Sequence, residues 1–410
     1  VTVDTFDFSG VSNTFTFNSP AAVTFEVQGS VFGNASGVDF TGVWGEITLN
    51  ALATGEVVSS LGTTWTQDFR VIGNAVNLQD DFNNGTSNFY VDFGGLNLSG
   101  NTLSCGNFYS ATTNVRTLDV ANARINAVNG YWEVDTLNLT WSGSGFAVYL
   151  GDNAGLAEFL GGGLMYDTLR SISATDLNVY SSNDFKLLEV LQSSTLGLEN
   201  GTTLRTDSMV AYGSCLAPLN IVTTAFGVNA SIEKTGFPLM ELNSVFITDV
   251  DAVGAATYNV FNATLVNAAN WTPANGSSLY WIGDSGNWSD GSHWSFTSGG
   301  APSGCIPDTM TPVFFDANSF TLPNQTVLVD VHGLFASMDW TQITTNQSFD
   351  FDSTLHAFGD ITLHPDLLMR RTFIGGGIVF KEQSLFTTNN AEIDALFELR
   401  MDVASDSLLL

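Results

Sequence analysis

The sequence predicts an all-β protein built from tandem modules of parallel β-solenoid type with short β-rich junctions. Charged residues make up 13% of the chain and hydrophobic residues 44%, and Gly numbers 40, a composition typical of stacked β structure with many tight turns. Apolar and polar residues alternate in short runs that end near Gly, Asn, Asp or Ser, as in strands joined by turns. The best helical candidate, 184–192, lacks capping residues and fits a strand equally well.

A recurring apolar pair favours the solenoid over other all-β folds. Leu-x-Leu or Leu-x-Val pairs recur near residues 96, 118, 137, 178 and 196, at irregular intervals of roughly 20 residues, the length of one solenoid turn. In a solenoid these residues stack on their counterparts in the next turn, and Asn and Gly take the left-handed turn positions. The alternative is a string of antiparallel β-sandwich domains, which the hairpin dipeptides Asn84-Gly85 and Asn200-Gly201 favour.

The end of the chain resembles its beginning, with a period of roughly 330 residues. The matching pairs are Val1–Asp4 with Val327–Asp330, Phe6–Phe8 with Met338–Trp340, Phe15–Ser19 with Phe349–Ser353, Phe40–Gly42 with Phe373–Gly375, and Phe69–Val71 with Leu399–Met401. This period is too long for one turn and suits one large module. We therefore expect the chain to hold one module and the start of the next, as part of a longer tandem array.

Changes in composition and in the pattern of apolar residues along the chain predict five segments. They are a β-solenoid part at 1–216, a closing β segment at 217–270, a linker at 271–278, a Trp-rich junction at 279–326 that opens the next module, and the start of the next solenoid at 327–410, homologous to 1–80. The linker prediction rests on its Pro, Gly and Ser content and on how little it offers to bury.

The charge balance excludes some partners. With 11 Lys and Arg against 41 Asp and Glu, the formal charge is −30, so the chain is not expected to bind nucleic acid or anionic lipid. No apolar run reaches the length of about 18 residues that a membrane helix needs, so no membrane insertion is expected. We expect the protein to be exported, with its export signal outside this sequence.

The cysteines do not form a disulfide framework, because there are three of them, Cys105, Cys215 and Cys305. Cys215 and Cys305 flank the junction between modules and are the preferred pair for one disulfide in an oxidising compartment. No Cys-x-x-Cys motif occurs, and the four histidines lack the spacing of a zinc site.

Several acidic pairs are candidate calcium ligands. They are Asp80 with Asp81, Asp249 with Asp251, and Asp284 with Asp290. Calcium takes six to eight oxygen ligands, and the sequence contains no calcium loop of the Asp-x-Asp-x-Asp-Gly type. The alternative for each pair is a solvated carboxylate in a turn, so no cofactor is expected other than calcium at these positions.

An aromatic cluster marks the junction. Trp281, Trp288 and Trp294 lie within fourteen residues of each other, next to Tyr280. These side chains are candidates for capping the core of the next module. The alternative is an exposed aromatic platform that stacks on sugar rings or contacts a surface.

This junction resembles the repeat of the giant cell-surface gliding-motility adhesins of Bacteroidota (the SprB-like adhesins). The resemblance rests on Tyr280-Trp281, Gly286–Asp290 and His293–Ser295, followed by Pro307 and by Val313–Phe320. Asp284 departs from the pattern, in which Gly is expected. Outside the junction the resemblance extends to Gly213–Cys215, Ala230–Ile232, Ile247–Ala252 and Asn270-Trp271.

The resemblance implies export by the type IX secretion system and attachment to the cell surface at the outer-membrane face. It implies a long extracellular filament that mediates attachment and gliding motility through weak multivalent contacts. Its partners would be neighbouring modules, the outer-membrane gliding and secretion machinery, and a substratum or polysaccharide surface. The alternative is a passive stalk or spacer of a large surface protein. A β-helix enzyme that degrades polysaccharide is less expected, because no Gly-x-Ser-x-Gly, His-Glu-x-x-His or P-loop motif occurs and the few Arg and Lys are scattered.

Overall fold

Alternation along the strands places one row of side chains inside a tube and the other row outside it. In the computed structural model the chain is essentially all-β and winds into a β-solenoid of about 17 turns. The structure describes residues 1–402 except 13–14, 20–21, 35–37, 43–44, 152–154, 173–175, 191–194, 212, 214, 216, 226, 237 and 275–277. Among the described strands every pairing is parallel except one, so the predicted solenoid is confirmed and the antiparallel sandwich alternative is wrong.

The strands fall into two successive solenoids. Those of the first solenoid are β1 (Thr2–Val3), β2 (Phe6–Asp7), β3 (Phe15–Ser19), β4 (Phe25–Val27), β5 (Val31–Phe32), β6 (Val38–Gly42), β7 (Ile47–Leu49), β8 (Glu56–Ser59), β9 (Phe69–Val71), β10 (Val76–Leu78), β11 (Phe82–Asn83), β12 (Phe89–Val91), β13 (Gly94–Asn97), β14 (Thr102–Ser110), β15 (Arg116–Asp119), β16 (Arg124–Val134), β17 (Leu139–Ser142), β18 (Ala147–Leu150), β19 (Leu156–Leu160), β20 (Met165–Ser171), β21 (Asp176–Tyr180), β22 (Asp184–Val190), β23 (Thr195–Leu198), β24 (Thr203–Ala211), β25 (Leu219–Thr223), β26 (Ala230–Lys234), β27 (Leu239–Asn243), β28 (Val245–Thr248), β29 (Val250–Val253), β30 (Thr257–Phe261), β31 (Thr264–Val266) and β32 (Thr272–Pro273). The segment 184–192, whose sequence fits a helix or a strand equally well, contains the strand β22.

The second solenoid begins after this series. Its elements are β33 (Leu279–Trp281), β34 (Gly286–Asn287), a 3-10 turn (Gly291–His293), β35 (Trp294–Ser295), β36 (Pro312–Phe314), β37 (Gln325–Val329), β38 (Gly333–Phe335), β39 (Ser337–Asp339), β40 (Gln347–Phe351), β41 (Thr354–Ala357), β42 (Ile361–Thr362), β43 (Leu367–Arg371), β44 (Gly377–Phe380), β45 (Phe386–Thr387), β46 (Glu392–Ile393) and β47 (Glu398–Met401).

The first solenoid is built around one 20-stranded sheet. Long strands bend around a corner of the tube, so that the first half of β14 pairs with β11 and its second half with β12. A shift in register between Cys105 and Asn107 marks this corner on β14. A 7-stranded sheet closes the tube on another side from β2 to β17, and a 3-stranded sheet of β27, β30 and β32 does so near the end.

The second solenoid has three separate faces. They are a 6-stranded sheet that includes β36, β39 and β42, a 5-stranded sheet that includes β37, β40 and β43, and a 4-stranded sheet of β38, β41, β44 and β47. The chain visits the three faces in turn, which is the path of a solenoid of triangular cross-section.

Each solenoid has its own apolar core. Buried side chains from Phe6 to Trp271 form one cluster, and those from Leu279 to Phe386 form the other. Inside each tube like residues stack on like, as where Leu96 pairs with Leu118 between β13 and β15. Such stacking keeps the same apolar surface out of water at every turn.

The two ends of the chain share one arrangement of turns. Equivalent positions stack on one face of the first solenoid at Val3, Val27, Leu49 and Val71, with roughly 22 residues per turn. The same face of the second solenoid stacks Phe335, Ala357, Phe380 and Met401. Aligning these two rows in chain order places Phe69–Val71 beside Leu399–Met401 and Phe6–Phe8 beside Met338–Trp340; the homology of the two segments stays a prediction.

In this alignment three other predicted matches fall out of place. Val1–Asp4 does not correspond to Val327–Asp330, because Val327 and Val329 lie in β37 on the 5-stranded face, whereas the counterpart of β1 is β38. The strand β3 does correspond to β40, but with a shift of two residues. The counterpart of β6 is β43, and Phe373–Gly375 lies in the turn that follows β43. Apolar residues recur on every face of a solenoid, so short matches can place a strand on the wrong face.

The boundaries near the junction also shift. Trp271 is buried in the first core and β32 pairs with β30, so the first solenoid extends into the predicted linker at 271–278. The residues 275–277 of that linker and the end of the last segment, 403–410, lie outside the described residues. The predicted strand at Leu137 is also wrong, because Leu137 is exposed in a turn and β17 begins at Leu139. No helix in the described parts of the chain is both long and apolar enough to cross a membrane.

Candidate functional site

The Trp-rich junction forms the closed end of the second core. β33 pairs with β35 in antiparallel fashion, which places Trp281 opposite Trp294 at the edge of the 6-stranded sheet. Trp281, Trp288 and Trp294 are each 0% exposed. Their rings meet nearly at right angles, at 5.0 Å between Trp281 and Trp294 and 4.9 Å between Trp288 and Trp294. These indoles therefore occupy the position of a cap on the core and do not form an exposed platform.

The local chain supports this packing with its own polar groups. The Trp281 indole N–H donates to the carbonyl of Asp284 at 2.8 Å, and that of Trp294 to the carbonyl of Trp288 at 3.0 Å. Asp290 caps the 3-10 turn by accepting the N–H of Ser292 at 2.9 Å. Tyr280 lies on the outside, half-buried, with its ring stacked on Phe314 at 5.1 Å. Of the four aromatic candidates, Tyr280 alone has ring surface at the exterior.

A disulfide joins the two solenoids. Cys215 of the first is bonded to Cys305 of the second across 90 residues of sequence, and this is the pair that the sequence favours. Cys105 is a free, fully buried thiol on β14, and burial raises its pKa. A thiol so placed is unreactive, because the thiolate is the reactive form.

A groove of about 480 Å³ runs beside the disulfide. The first solenoid contributes Pro218 and Phe246, and the second contributes Ser289, Ile306 and Asp308. Ile306 is 47% exposed there. The two solenoids thus meet along a partly apolar seam that the covalent bond holds closed.

The acidic candidates for calcium do not converge. Asp80 accepts backbone N–H groups of Ser60 and Leu61 at 2.6 and 2.9 Å, and Asp81 accepts that of Thr102 at 2.7 Å. Each carboxylate therefore closes a turn in the neighbouring rung.

The other acidic candidates have the same role. Asp249 accepts the amide of Asn267 at 2.6 Å, and Asp251 accepts the backbone N–H of Ala269 at 2.8 Å. Asp284 accepts the backbone N–H and hydroxyl of Thr321, which lowers the pKa of its carboxyl. Among the described residues no group of three or more His, Cys, Asp or Glu side chains is placed to hold a metal ion.

The structure reveals an aromatic ladder that sequence reasoning missed. Tyr90, Tyr109 and Tyr131 occupy the outside of the 20-stranded sheet in consecutive turns, each half-buried. Their ring centroids are 5.0 Å apart between Tyr90 and Tyr109 and 5.2 Å apart between Tyr109 and Tyr131. The signal was present as three tyrosines at intervals close to one turn. It was obscured because the inward aromatic residues recur with the same spacing.

Charged groups close one end of this tyrosine ladder. The guanidinium of Arg70 lies 4.1 Å from the centre of the Tyr90 ring and forms ion pairs with Glu46 and Asp92. Burial, followed by the charge of Glu133, raises the pKa of Tyr131 to about 12. The Tyr90 and Tyr109 rings stack face to face, the Tyr131 ring is tilted by 34° against Tyr109, and the hydroxyl group of Tyr131 donates to Glu133. The ladder thus stabilises the sheet and leaves little ring face for a sugar to stack on.

No known protein family, no curated protein and no solved structure matches this chain.

Proposed function

We propose that this chain is a segment of a long extracellular filament that attaches a cell to surfaces through many weak contacts. The observation that carries the proposal is the recurrence of one arrangement of turns in two successive solenoids. A polypeptide built in this way gains length by adding modules, and repeated weak contacts along it combine into strong attachment.

The disulfide supports an extracellular location. Disulfides persist in oxidising compartments, and the bond between Cys215 and Cys305 holds together parts of the chain that have separate cores. The formal charge of −30 keeps neighbouring filaments apart in solution.

The resemblance of the junction to gliding-motility adhesins supports a more specific proposal. The filament would be exported by type IX secretion, anchored at the outer-membrane face and moved by the gliding machinery over a substratum or polysaccharide. The proposed role is mechanical rather than catalytic.

A passive stalk is the second candidate function. Burial of Trp281, Trp288 and Trp294 favours it, because these side chains are unavailable for surface contact. In a stalk, the stacked turns would only hold a binding domain elsewhere in the polypeptide away from the cell.

Adhesion of coated beads separates the two candidates. Beads carrying residues 1–410 would be placed under flow on glass and on polysaccharide films, with beads carrying an inert protein of similar charge as the control. The adhesive proposal predicts retention that rises steeply with coating density, since it depends on many weak contacts. Retention no greater than that of the control beads at every density would reject adhesion and leave the stalk.

A further inference from the structure

A polar groove lies on the outside of the second solenoid, over its 5-stranded sheet. It has a volume of about 460 Å³. Consecutive strands contribute its floor, and the turns that precede these strands contribute one wall. The floor consists of Thr326, Ser348, Leu368 and Glu392, and the wall of Asn324, Asn346 and Asp366.

The groove repeats with the turns of the solenoid. Thr326 pairs with Ser348, Ser348 with Leu368, and Leu368 with Glu392. Along the wall, the N–H of Asn324 donates to the carbonyl of Asn346 at 2.7 Å. Neighbouring parallel strands lie about 4.8 Å apart, so similar groups recur once per strand along the axis. A linear polymer of rings, extended along this axis, would meet a comparable set of contacts at each unit.

Several of these side chains have unused hydrogen-bonding capacity. Within the described part of the chain, the side chains of Asn324, Asn346, Thr326 and Glu392 form no hydrogen bond. Asn346 and Glu392 are exposed. Amide, hydroxyl and carboxylate groups together offer both donors and acceptors, which is what a ligand rich in hydroxyl groups requires.

The remaining side of the groove is formed by Arg370, which an ion pair with Asp350 holds in place. Arg370 binds both carboxylate oxygens of Asp350, at 3.0 and 2.7 Å, and the hydroxyl of Ser348 donates to the same carboxylate. Asp350 is only 6% exposed, so this ion pair is fixed against the sheet. A bidentate ion pair of this kind fixes the orientation of the Arg370 guanidinium. A ligand that binds beside it therefore costs less side-chain entropy.

The charges of the groove favour neutral polymers over anionic ones. The opposite charges of Asp350 and Arg370 cancel. The net charge of the groove therefore comes from the carboxylates of Asp366 and Glu392. Anionic polysaccharides would be repelled, and the overall charge of −30 adds to this repulsion. Leu368 provides an apolar floor for the C–H face of a sugar ring. We infer that this groove binds a neutral polysaccharide chain lying along the solenoid axis, an inference that rests on the proposed adhesive function.

Binding of soluble polysaccharides tests the inference. Residues 1–410 would be titrated with a neutral β-glucan, a neutral mannan and anionic polygalacturonate in affinity electrophoresis and calorimetry. The test variant is Asn346→Ala with Glu392→Ala, and the control is Thr362→Ala, on the outside of β42 on the neighbouring face. We expect binding to at least one neutral polymer, none to polygalacturonate, and roughly a tenfold loss in the test variant alone.

Three results would overturn the inference. The groove would be rejected if a neutral polymer bound the test variant and the wild type equally. Tighter binding of polygalacturonate than of the neutral polymers would reject the charge argument. If the protein bound no neutral polymer but coated beads still adhered to bare glass, a polysaccharide ligand would be rejected and the adhesive function would remain supported. Only the loss of bead adhesion as well would count against both.

Discussion

At the scale of single residues, buried polar side chains in this protein close the corners of the solenoid. Arg116 is 0% exposed and donates to carbonyl oxygens of four residues, Ser110, Asn114, Asp135 and Leu137. The contacts at Asp135 and Leu137 both measure 2.8 Å. Burial lowers the pKa of its guanidinium, and the nearby carboxylates of Asp135 and Asp92 partly offset this effect.

Replacing this arginine tests its role as a corner clamp. Arg116→Met should lower the free energy of unfolding by about 3 kcal/mol, because it leaves several buried carbonyl groups without a donor. Unfolding in urea, followed by tryptophan fluorescence, would measure the change. Arg124→Met is the matched control, since Arg124 is exposed and contacts the Tyr149 ring at 5.2 Å. A loss no greater than that of the control would contradict the clamp.

The junction tryptophans give a second prediction at this scale. Trp288→Ala should destabilise the second solenoid by about 3–5 kcal/mol, because it opens a cavity against Trp294 and Phe335. Trp288→Phe should cost less, since part of the ring volume remains. Separate unfolding of the second solenoid, seen by circular dichroism, would measure both variants. A variant Trp288→Ala as stable as wild type would show that the ring does not cap the core.

At the scale of elements, register in a parallel stack brings identical side chains together along the outside as well as the inside. Two residues of the tyrosine ladder, Tyr90 on β12 and Tyr109 on β14, stack in this way because they pair in the sheet. Tyr131 on β16 pairs with Asn107 and reaches the Tyr109 ring diagonally. Stacking holds the rings in a partly buried row, and that row favours neutral phenols over phenolates.

The tyrosine ladder predicts a specific alkaline transition. The pKa of Tyr131 is raised from 10.0 to about 12 in the folded chain. An acid with a raised folded pKa contributes stability that is complete below its unfolded pKa. That contribution should fall as the pH rises from about 10 towards 12.

Alkaline titration of wild type and of Tyr131→Phe would test this. The variant keeps the ring but has no group to ionise, so its unfolding transition should move to higher pH. Tyr280→Phe, which lies outside the ladder, should leave the transition where it is. An unchanged transition in Tyr131→Phe would show that ionisation at this position does not limit stability.

At the scale of the whole molecule, the disulfide determines how the two solenoids stand relative to each other. Each has its own core, and the bond between Cys215 and Cys305 closes the seam between them.

Loss of the disulfide should therefore loosen the joint and leave the solenoids folded. We expect Cys215→Ser with Cys305→Ser to broaden the distribution of dimensions in small-angle X-ray scattering. Circular dichroism should not change. Cys105→Ala is the control, since it alters a thiol within the first core. Unchanged scattering would mean that the seam itself, rather than the bond, fixes the arrangement.

Much of this architecture follows from the sequence alone. Alternation along short runs such as 46–49 determined that the chain forms strands, and the spacing of apolar pairs determined that they stack as a solenoid. The matches at Phe69–Val71 and Phe6–Phe8 predict that the arrangement recurs. The position of Cys215 and Cys305 on either side of the junction was enough to choose the disulfide.

Only the tertiary structure decided which face each strand occupies and which aromatic rings are outside. Period-two alternation says that a side chain points in or out, but a closed tube has several faces with the same pattern, so Val327–Val329 resembled β1 while belonging to another sheet. The tryptophans near 281–294 and the tyrosines of the ladder are both sets of aromatic residues that recur along the chain, and neither spacing says which rings are buried. Their burial differs because the path of the chain sends one set into the core and leaves the other on the outer surface.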